Sequence, residues 1–268
     1  MTKHIFWIAS YPKSGNTLLR AILSALFFSD TGVFSFDLLK KIVGFEELSR
    51  LNKCHDTKPE NINSKNWQEK NILIFKSMKE IQNKKNLGFT EDFAFFKTHF
   101  NGKNFDGQSF LINNYLRGLV YIYRDPRDVC ISWSRHANLS KNKSLDFMLN
   151  DSASIKWLGQ EQFKDYKGEI PVYLSTWDKH VKSWIDLEFN CPKLFLNYED
   201  LVYKKENTLN NLIEFFENNY RIKITNKKLK IKNIINSTSF NYLSDLEVKN
   251  GFNESVNNNK FFAVGKKE

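Results

Sequence analysis

The stretch from residue 4 to residue 28 constrains the fold most, because it combines a strand, a loop and a helix. Its first part, HIFWIAS, is apolar, aromatic and β-branched, and Tyr11 and Pro12 end the run, as is typical of a short buried strand. In residues 17–28 apolar side chains recur at i, i+3, i+4 and i+7, which indicates a helix. A loop in this position lies at the carboxyl edge of an α/β sheet, where ligands bind.

The rest of the chain alternates between strand-like and helix-like apolar patterns. Alternating strands and helices predict a parallel sheet covered by helices on both faces. We therefore predict an α/β fold with a P-loop-like phosphate loop, forming a single domain over residues 1–268 with variable insertions near 29–90 and 140–172. Further strands are predicted at 93–99 and 118–125, and a strand with a turn at 193–200. Further helices are predicted at 126–139, 176–188 and 207–216.

Composition narrows the class of protein. The net charge of +10 favours anionic partners, namely nucleotides, nucleic acid, sulfated or phosphorylated sugars, or acidic membranes, although a Lys/Asn-rich composition accounts for most of the surface lysines. Cys54, Cys130 and Cys191 have no CxxC spacing, which argues against a disulfide framework and against a zinc site. The first apolar run is broken at once by the loop, and the second carries Arg20 and is too short to span a bilayer. We expect a cytoplasmic protein with no signal peptide and no membrane partner.

The heptad YPKSGNT between the first strand and helix has the layout of a phosphate-binding loop. A helix N-terminus offers backbone N–H groups and a positive dipole end to an anion. Gly15 allows close approach of the backbone, Ser14, Asn16 and Thr17 add side-chain donors, and Lys13 adds a charge. The lysine precedes the glycine, whereas nucleotide triphosphatases place it after the glycine. Taken alone, the heptad is also compatible with a capped turn.

A second candidate group is YRDPRDVCISWSRH, which begins at the end of a predicted strand. Arg124 lies at that strand's carboxyl end, and Ser132 follows eight residues later on the next helix. The planar guanidinium fork suits a phosphate monoester. The alternative for Arg124 is an ordinary ion pair with Asp125 or Asp128.

A third candidate group is FFKTHF, in which His99 ends an apolar strand. A histidine with a near-neutral pKa can take a proton from an alcohol. Lys97 lies two residues earlier, so its side chain is expected on the same face of the strand. A single histidine at a strand end is more often structural, and the neighbouring lysine is what favours a catalytic role.

Together these stretches resemble the sulfotransferases that use 3′-phosphoadenosine 5′-phosphosulfate (PAPS). YPKSGNT resembles that family's 5′-phosphosulfate loop, YPKSGTTW, and YRDPRDVCIS resembles its 3′-phosphate motif. KTH resembles the strand that carries the catalytic histidine, LFLNYEDL the strand whose tyrosine lies near the adenine, and STSF a segment that contacts the nucleotide. The five matches occur in family order, from residue 5 to about residue 240, which is far more specific than any one of them.

The resemblance implies a role for each matching residue. His99 would be the general base, Lys13 would stabilise the bridging oxygen, and Lys97 would steady the transferring sulfuryl group. Ser132 would bind the 3′-phosphate and restrain Lys13 until the acceptor arrives. The donor would be PAPS, and the family's reaction needs no metal site. The residues implied to bind the donor are Lys13, Ser14, Gly15, Asn16, Thr17, Arg124, Ser132, Tyr198, Thr238 and Phe240.

Three departures from the family pattern concern donor binding. Leu18 stands where the loop usually has tryptophan, so stacking on adenine is lost there, and Asn16 replaces a threonine but keeps a donor. Ala263 and Val264 replace the basic pair that grips the 3′-phosphate, and the lysines at 266–267 are the candidate substitutes.

Three other functions are alternatives to a cytoplasmic sulfotransferase. An ATP-dependent small-molecule kinase would need a lysine after the glycine of the loop, and a nucleic-acid-binding module would interleave exposed aromatics with basic residues. A family member that binds nucleotide without transferring is the third alternative. The expected acceptor is a small molecule or a glycan that bears a hydroxyl, bound by the stretches 29–90 and 140–172, with no nucleic-acid partner. The sequence does not determine the oligomeric state.

Overall fold

A computed structural model describes most of the chain and divides it into two compact units. The first unit comprises Met1–Tyr11, Gly44–Tyr121 and Asp146–Lys193, and the second comprises Pro12–Val43, Ile122–Leu145 and Leu194–Glu268. The described residues are 3–46, 50, 54, 64–104, 106–157, 170–252, 254–255 and 260–262. Several stretches of the predicted insertions fall outside these ranges, and the assignment of one domain to residues 1–268 stays a prediction.

The elements among the described residues alternate as an α/β chain does. The strands are β1 (Ile5–Ala9), β2 (Val43–Gly44), β3 (Ala94–Thr98), β4 (Leu116–Tyr123), β5 (Ser154–Trp157), β6 (Ile170–Tyr173) and β7 (Lys193–Asn197). The helices are α1 (Asn16–Phe28), α2 (Trp67–Glu80), α3 (Lys84–Leu87), α4 (Pro126–His136), α5 (Lys141–Met148), α6 (Trp177–Ile185), α7 (Tyr198–Tyr203), α8 (Lys205–Tyr220), α9 (Lys227–Ser237) and α10 (Phe240–Asn250). A 3-10 helix spans Phe36–Lys41.

The central sheet has five strands in the order β2-β3-β1-β4-β7, and helices flank it. β1 pairs in parallel with β3, from Ile5 opposite Ala94 to Ala9 opposite Thr98, and in parallel with β4 on its other side. β5 and β6 form a separate antiparallel pair. The predicted α/β class with a central parallel sheet is therefore confirmed.

The burial of β1 explains why it lies in the middle of the sheet. All five of its residues are fully buried, as expected for a parallel strand that is covered on both faces. Within the first unit the indole of Trp7 packs edge-on against Phe45 and Phe110. Aromatic packing of this kind accounts for many of the chain's 24 phenylalanines.

The bounds of two predicted elements follow from local capping. The strand predicted within the strand and turn at 193–200 ends at Asn197, because the Asn197 side chain accepts from the amide of Asp200 and caps α7. The helix predicted to reach residue 139 ends at His136, because Asn138 has a left-handed backbone with φ of 53°. None of the described helices is long and apolar enough to cross a membrane.

Candidate functional site

The phosphate loop lies in the second unit and begins α1. Gly15 caps the helix with φ of 101°, and Lys13 also has a positive φ of 65°. A Cβ at Gly15 would lie 2.4 Å from Cδ2 of Tyr198. This position therefore requires glycine for two reasons: its backbone conformation is left-handed, and the ring of Tyr198 occupies the space of a side chain.

The loop presents polar atoms that suit an anion. The first turn of α1 contains no acidic residue of its own, and the positive end of the helix dipole favours an anion at this position. Ser14 is fully buried, and its hydroxyl has no hydrogen-bond partner among the described residues. A buried hydroxyl without a partner costs about 1–3 kcal/mol, and a phosphate oxygen at the helix N-terminus would satisfy it.

Arg124 follows β4, and its side chain contacts the phosphate loop. Its Nη1 donates to the carbonyl oxygen of Lys13 at 3.4 Å, and its guanidinium lies 4.5 Å from the ring centroid of Tyr198. The distance from its Nη2 to the Asp128 carboxylate is 3.9 Å, whereas Asp125 pairs with Arg127 at 2.5 Å. The ion-pair alternative for Arg124 is thus limited to a long contact with Asp128. Burial raises the pKa of the Tyr198 hydroxyl.

Lys13 has two neighbours that the sequence did not indicate. Its Nζ lies 4.3 Å from the ring centroid of Phe261, a cation–π arrangement. The ring of His136, at the end of α4, lies 6.3 Å from that of Phe261. Burial lowers the pKa of His136 to about 4, and the charge of Lys13 adds to this effect. His136 is therefore neutral near pH 7.

Thr17, a predicted phosphate ligand, contacts a carboxylate in this structure. Its hydroxyl donates to Glu254 at 2.9 Å, and Nη1 of Arg20 lies 2.5 Å from the same carboxylate. Glu254 is 237 residues away in sequence from Thr17, so no local pattern could have predicted the contact. A hydroxyl donates one hydrogen bond. While Thr17 donates to Glu254, it therefore does not donate to a phosphate of PAPS.

The remaining predicted donor ligands lie on other elements of the second unit. Ser132 lies half-buried on α4, and Phe240 begins α10. Thr238 is buried, and its hydroxyl donates to the carbonyl of Ile234. The ammonium group of Lys205 donates to the Thr238 carbonyl oxygen at 2.8 Å. Burial lowers the pKa of Lys205 to about 8.

The candidate base, His99, follows β3 in the first unit. Its Nδ1 lies 2.9 Å from the carbonyl oxygen of Ser10 and 3.2 Å from the Ser10 hydroxyl. A carbonyl oxygen only accepts hydrogen bonds, so Nδ1 carries the proton in the neutral ring. The lone pair is then on Nε2, which is the nitrogen able to take a proton from an alcohol.

A buried carboxylate anchors the same strand end. Glu46 accepts from the hydroxyl of Thr98 and from the backbone amide of His99. Burial raises the pKa of Glu46, and the charge of Lys97 partly opposes that shift. The side chain of Lys97 lies beside Gly44, where an added Cβ would be 3.5 Å from the Lys97 Cε atom. Glu46 is a residue that the sequence analysis missed, because its partners lie about fifty positions away.

Comparison with known proteins identifies the family. The family model described as "Sulfotransferase domain" matches residues 3–268. The chain belongs to the sulfotransferase family. Dog sulfotransferase 1B1 is 28% identical over 127 residues, which cover 47% of this chain and 37% of the relative. Rat sulfotransferase 1A1 is 29% identical over 97 residues, which cover 36% and 30%. The chain thus spans about a third of the length of these curated relatives.

Solved sulfotransferase-like structures share the fold of this family member. Retinol dehydratase, in complex with androsterone and the inactive cofactor PAP, superimposes with a TM-score of 0.57 at 18% identity, covering 99% of this chain and 74% of that one. The mouse sulfotransferase SULT7A1 complexed with PAP gives a TM-score of 0.56 at 17% identity, covering 99% and 76%. At these identities the likeness concerns the fold.

Two predictions about the site concern other parts of the chain. Ala263, Val264 and the lysines at 266–267 lie outside the described residues. Within the described ranges no group of three or more His, Cys, Asp and Glu side chains is placed to hold a metal ion.

Proposed function

We propose that this sulfotransferase family member moves the sulfuryl group of PAPS to the hydroxyl of an acceptor, with His99 as the general base. The observation that carries the proposal is the hydrogen bond from His99 Nδ1 to the Ser10 carbonyl, 2.9 Å long. It supports the tautomer in which Nε2 accepts a proton. Membership of the family and a fold shared with PAP-bound proteins make PAPS the natural donor.

The donor's phosphates would bind the second unit. Backbone N–H groups at the start of α1, the buried Ser14 hydroxyl and the Lys13 ammonium suit the 5′ side. Arg124 and Ser132 suit the 3′-phosphate, since a guanidinium binds a phosphate monoester through two parallel hydrogen bonds. The ring of Tyr198 lies beside Gly15 and Arg124, where an adenine base next to the loop would meet it.

The chemistry is an in-line displacement at sulfur. The bond from sulfur to the bridging oxygen of PAPS breaks as the bond from sulfur to the acceptor oxygen forms. His99 Nε2 takes the acceptor's proton, and the ammonium groups of Lys13 and Lys97 offset charge on the leaving phosphate and the sulfuryl group. Positioning and charge stabilisation supply most of such a rate enhancement.

A small-molecule alcohol is the acceptor class that the ligands of two structural neighbours support. The two retinol dehydratase structures are complexes with androsterone and with retinol, and both of these molecules bear a hydroxyl. The three cysteines, all free thiols, suit the reducing cytoplasm that we propose as the location.

The proposal is tested by incubating the chain with PAPS and a panel of phenols, steroid alcohols and sugars, with mass spectrometry of the products. We expect a sulfated product and PAP in equal amounts. In His99→Ala the rate should fall by about 100-fold or more, while PAP binding persists. Product formed only from ATP and Mg²⁺ would support a kinase instead, and transfer that survives His99→Ala would remove the base assignment.

A further inference from the structure

A buried histidine in the first unit contacts the backbone of the candidate base. His180 lies on α6 and is fully buried. Its Nε2 lies 3.0 Å from the carbonyl oxygen of His99, and its Nδ1 lies 2.9 Å from the hydroxyl of Tyr121. Both ring nitrogens are therefore engaged, and neither the sequence motifs nor the proposed reaction gives this residue a role.

The partners of His180 determine which nitrogen carries the proton. The His99 carbonyl only accepts, so Nε2 of His180 donates to it. Burial lowers the pKa of His180 to about 4, so the ring is neutral and Nδ1 accepts from the Tyr121 hydroxyl. The His180 ring thus links the Tyr121 hydroxyl to the carbonyl of His99.

The rest of α6 holds the residues that follow His99. The indole of Trp184 donates to the carbonyl of Phe100 at 3.1 Å, and the amide of Gly102 donates to the Ser183 hydroxyl at 2.9 Å. A Cβ at Gly102 would lie 2.8 Å from the Ser183 carbonyl oxygen. The loop after β3 therefore lies directly on the helix backbone, with no room for a side chain between them.

We propose that His180 is a positioning residue for the sulfuryl-transfer reaction, because its hydrogen bond to the His99 carbonyl fixes the backbone from which the candidate base projects. The inference rests on the proposed function of His99. His99 is then held at two points: its Nδ1 by the Ser10 carbonyl and its own carbonyl by His180. Losing the second anchor rotates the peptide and carries the imidazole away from the first. A misplacement of about 1 Å can reduce a rate by about 100-fold.

The side-chain chemistry explains why histidine occupies this position. The site needs a donor and an acceptor on opposite sides of one buried, uncharged group, and neutral imidazole provides both. Two substitutions of His180 separate the effect of its hydrogen bond to the His99 carbonyl from that of its hydrogen bond to Tyr121. In His180→Gln the amide can reach the ε position and still donate to the His99 carbonyl. In His180→Asn the shorter amide keeps the bond to Tyr121 and leaves the carbonyl without its donor.

The first test reads the tautomer of His99 by NMR and does not depend on an acceptor. The chain is labelled with ¹⁵N-histidine and saturated with PAP, and the His99 resonances are assigned by comparison with His99→Gln. Long-range ¹H–¹⁵N correlations separate the Nδ1–H form from the Nε2–H form. We expect a single Nδ1–H form in the wild type and in His180→Gln, and an averaged mixture in His180→Asn. An unchanged Nδ1–H form in His180→Asn would overturn the inference.

The second test measures kcat and KM separately, with an acceptor found in the panel screen. His180→Asn should lower kcat by about tenfold or more with donor KM within about twofold, and His180→Gln should restore most of kcat. Equal kcat in both variants would overturn the inference. If His180→Asn does not fold, His180→Met replaces it, because the thioether fills a space similar to that of the Gln side chain and cannot donate to the His99 carbonyl. Absence of transfer in the wild type contradicts the proposed function alone, since the NMR result stands independently.

Discussion

At the scale of single residues, Gly15 is the position in the phosphate loop that tolerates substitution least. Gly15→Ala places a methyl group 2.4 Å from the Tyr198 ring at φ of 101°. The left-handed backbone alone costs about 1–2 kcal/mol, and the contact adds to it. We expect a loss of more than about 2 kcal/mol in the free energy of unfolding, measured in urea, and loss of PAP binding.

The matched control separates the backbone effect from the contact. Gly107 also has a positive φ, of 82°, but a Cβ there meets nothing within 4 Å. Gly107→Ala should therefore cost only the backbone term, about 1–2 kcal/mol, and leave PAP affinity unchanged. Equal losses in the two variants would show that Tyr198 does not pack against the loop.

A second prediction concerns the pH dependence that His180 confers. Its pKa in the folded chain is about 4, against about 6.5 in the unfolded chain. Between these values the unfolded chain binds the extra proton, so stability is lost as the pH falls from about 6.5 to about 4. Each unit of difference corresponds to about 1.4 kcal/mol.

Urea unfolding across this pH range in the wild type and in His180→Gln measures that contribution. The variant should show a flatter dependence, because its amide does not titrate. The lowered pKa of His136 acts in the same direction in both proteins and cancels in the difference. Parallel curves for the two proteins would contradict a buried neutral His180.

Some contacts between residues of the candidate site could be predicted from the sequence, and others could not. The contacts among Lys13, Gly15, Arg124 and Tyr198 follow from motifs whose order and strand-end positions are visible in the sequence. Partners such as Ser10 for His99 and Glu254 for Thr17 are polar residues without a motif. They are brought into contact by tertiary packing, on which local pattern carries no information.

At the scale of elements, we expect the Glu254 carboxylate, which contacts Thr17, to compete with an anion at the start of α1. Glu254→Gln removes a negative charge beside Thr17 and the ion pair with the buried Arg20. We expect the free energy of unfolding to fall by about 1–3 kcal/mol. PAP should bind more tightly, because the Thr17 hydroxyl and the positive helix end become available to its phosphate. Calorimetric titration with PAP measures the second effect.

An exposed ion pair provides the control for that experiment. Asp37 and Lys40 pair at 2.7 Å, with side chains 83% and 74% exposed, so Asp37→Asn should leave both stability and PAP affinity unchanged. Weaker PAP binding in Glu254→Gln would mean that the carboxylate supports the donor site rather than competing for it.

Elements with strong local patterns were the ones that the sequence predicted. β1, α1, β3 and α6 have continuous or periodic apolar residues, and their bounds agree with prediction within a few residues. α9 and α10 went unpredicted because polar and charged side chains dominate them. The β5–β6 pair overlaps the stretch near 140–172 that is predicted as a variable insertion, and its antiparallel pairing joins residues 13 to 19 positions apart.

At the scale of the whole molecule, membership of the sulfotransferase family predicts which nucleotide the chain binds. The family model spans residues 3–268, and the sequence reached the same family because five motifs occur in order along the chain. A surplus of ten positive charges suits a donor that carries several negative charges. The identity of the bound nucleotide is therefore the property that most directly distinguishes a PAPS-dependent transferase from a kinase.

Thermal unfolding of the chain during titration with PAP, with AMP and with ATP–Mg²⁺ tests this property most directly. A ligand present at about 100 times its Kd stabilises the folded state by about 2.7 kcal/mol. We expect clear stabilisation by PAP and much weaker stabilisation by AMP, because AMP lacks the 3′-phosphate that Arg124 and Ser132 are proposed to bind. Stabilisation by ATP–Mg²⁺ and none by PAP would contradict a PAPS-dependent sulfotransferase.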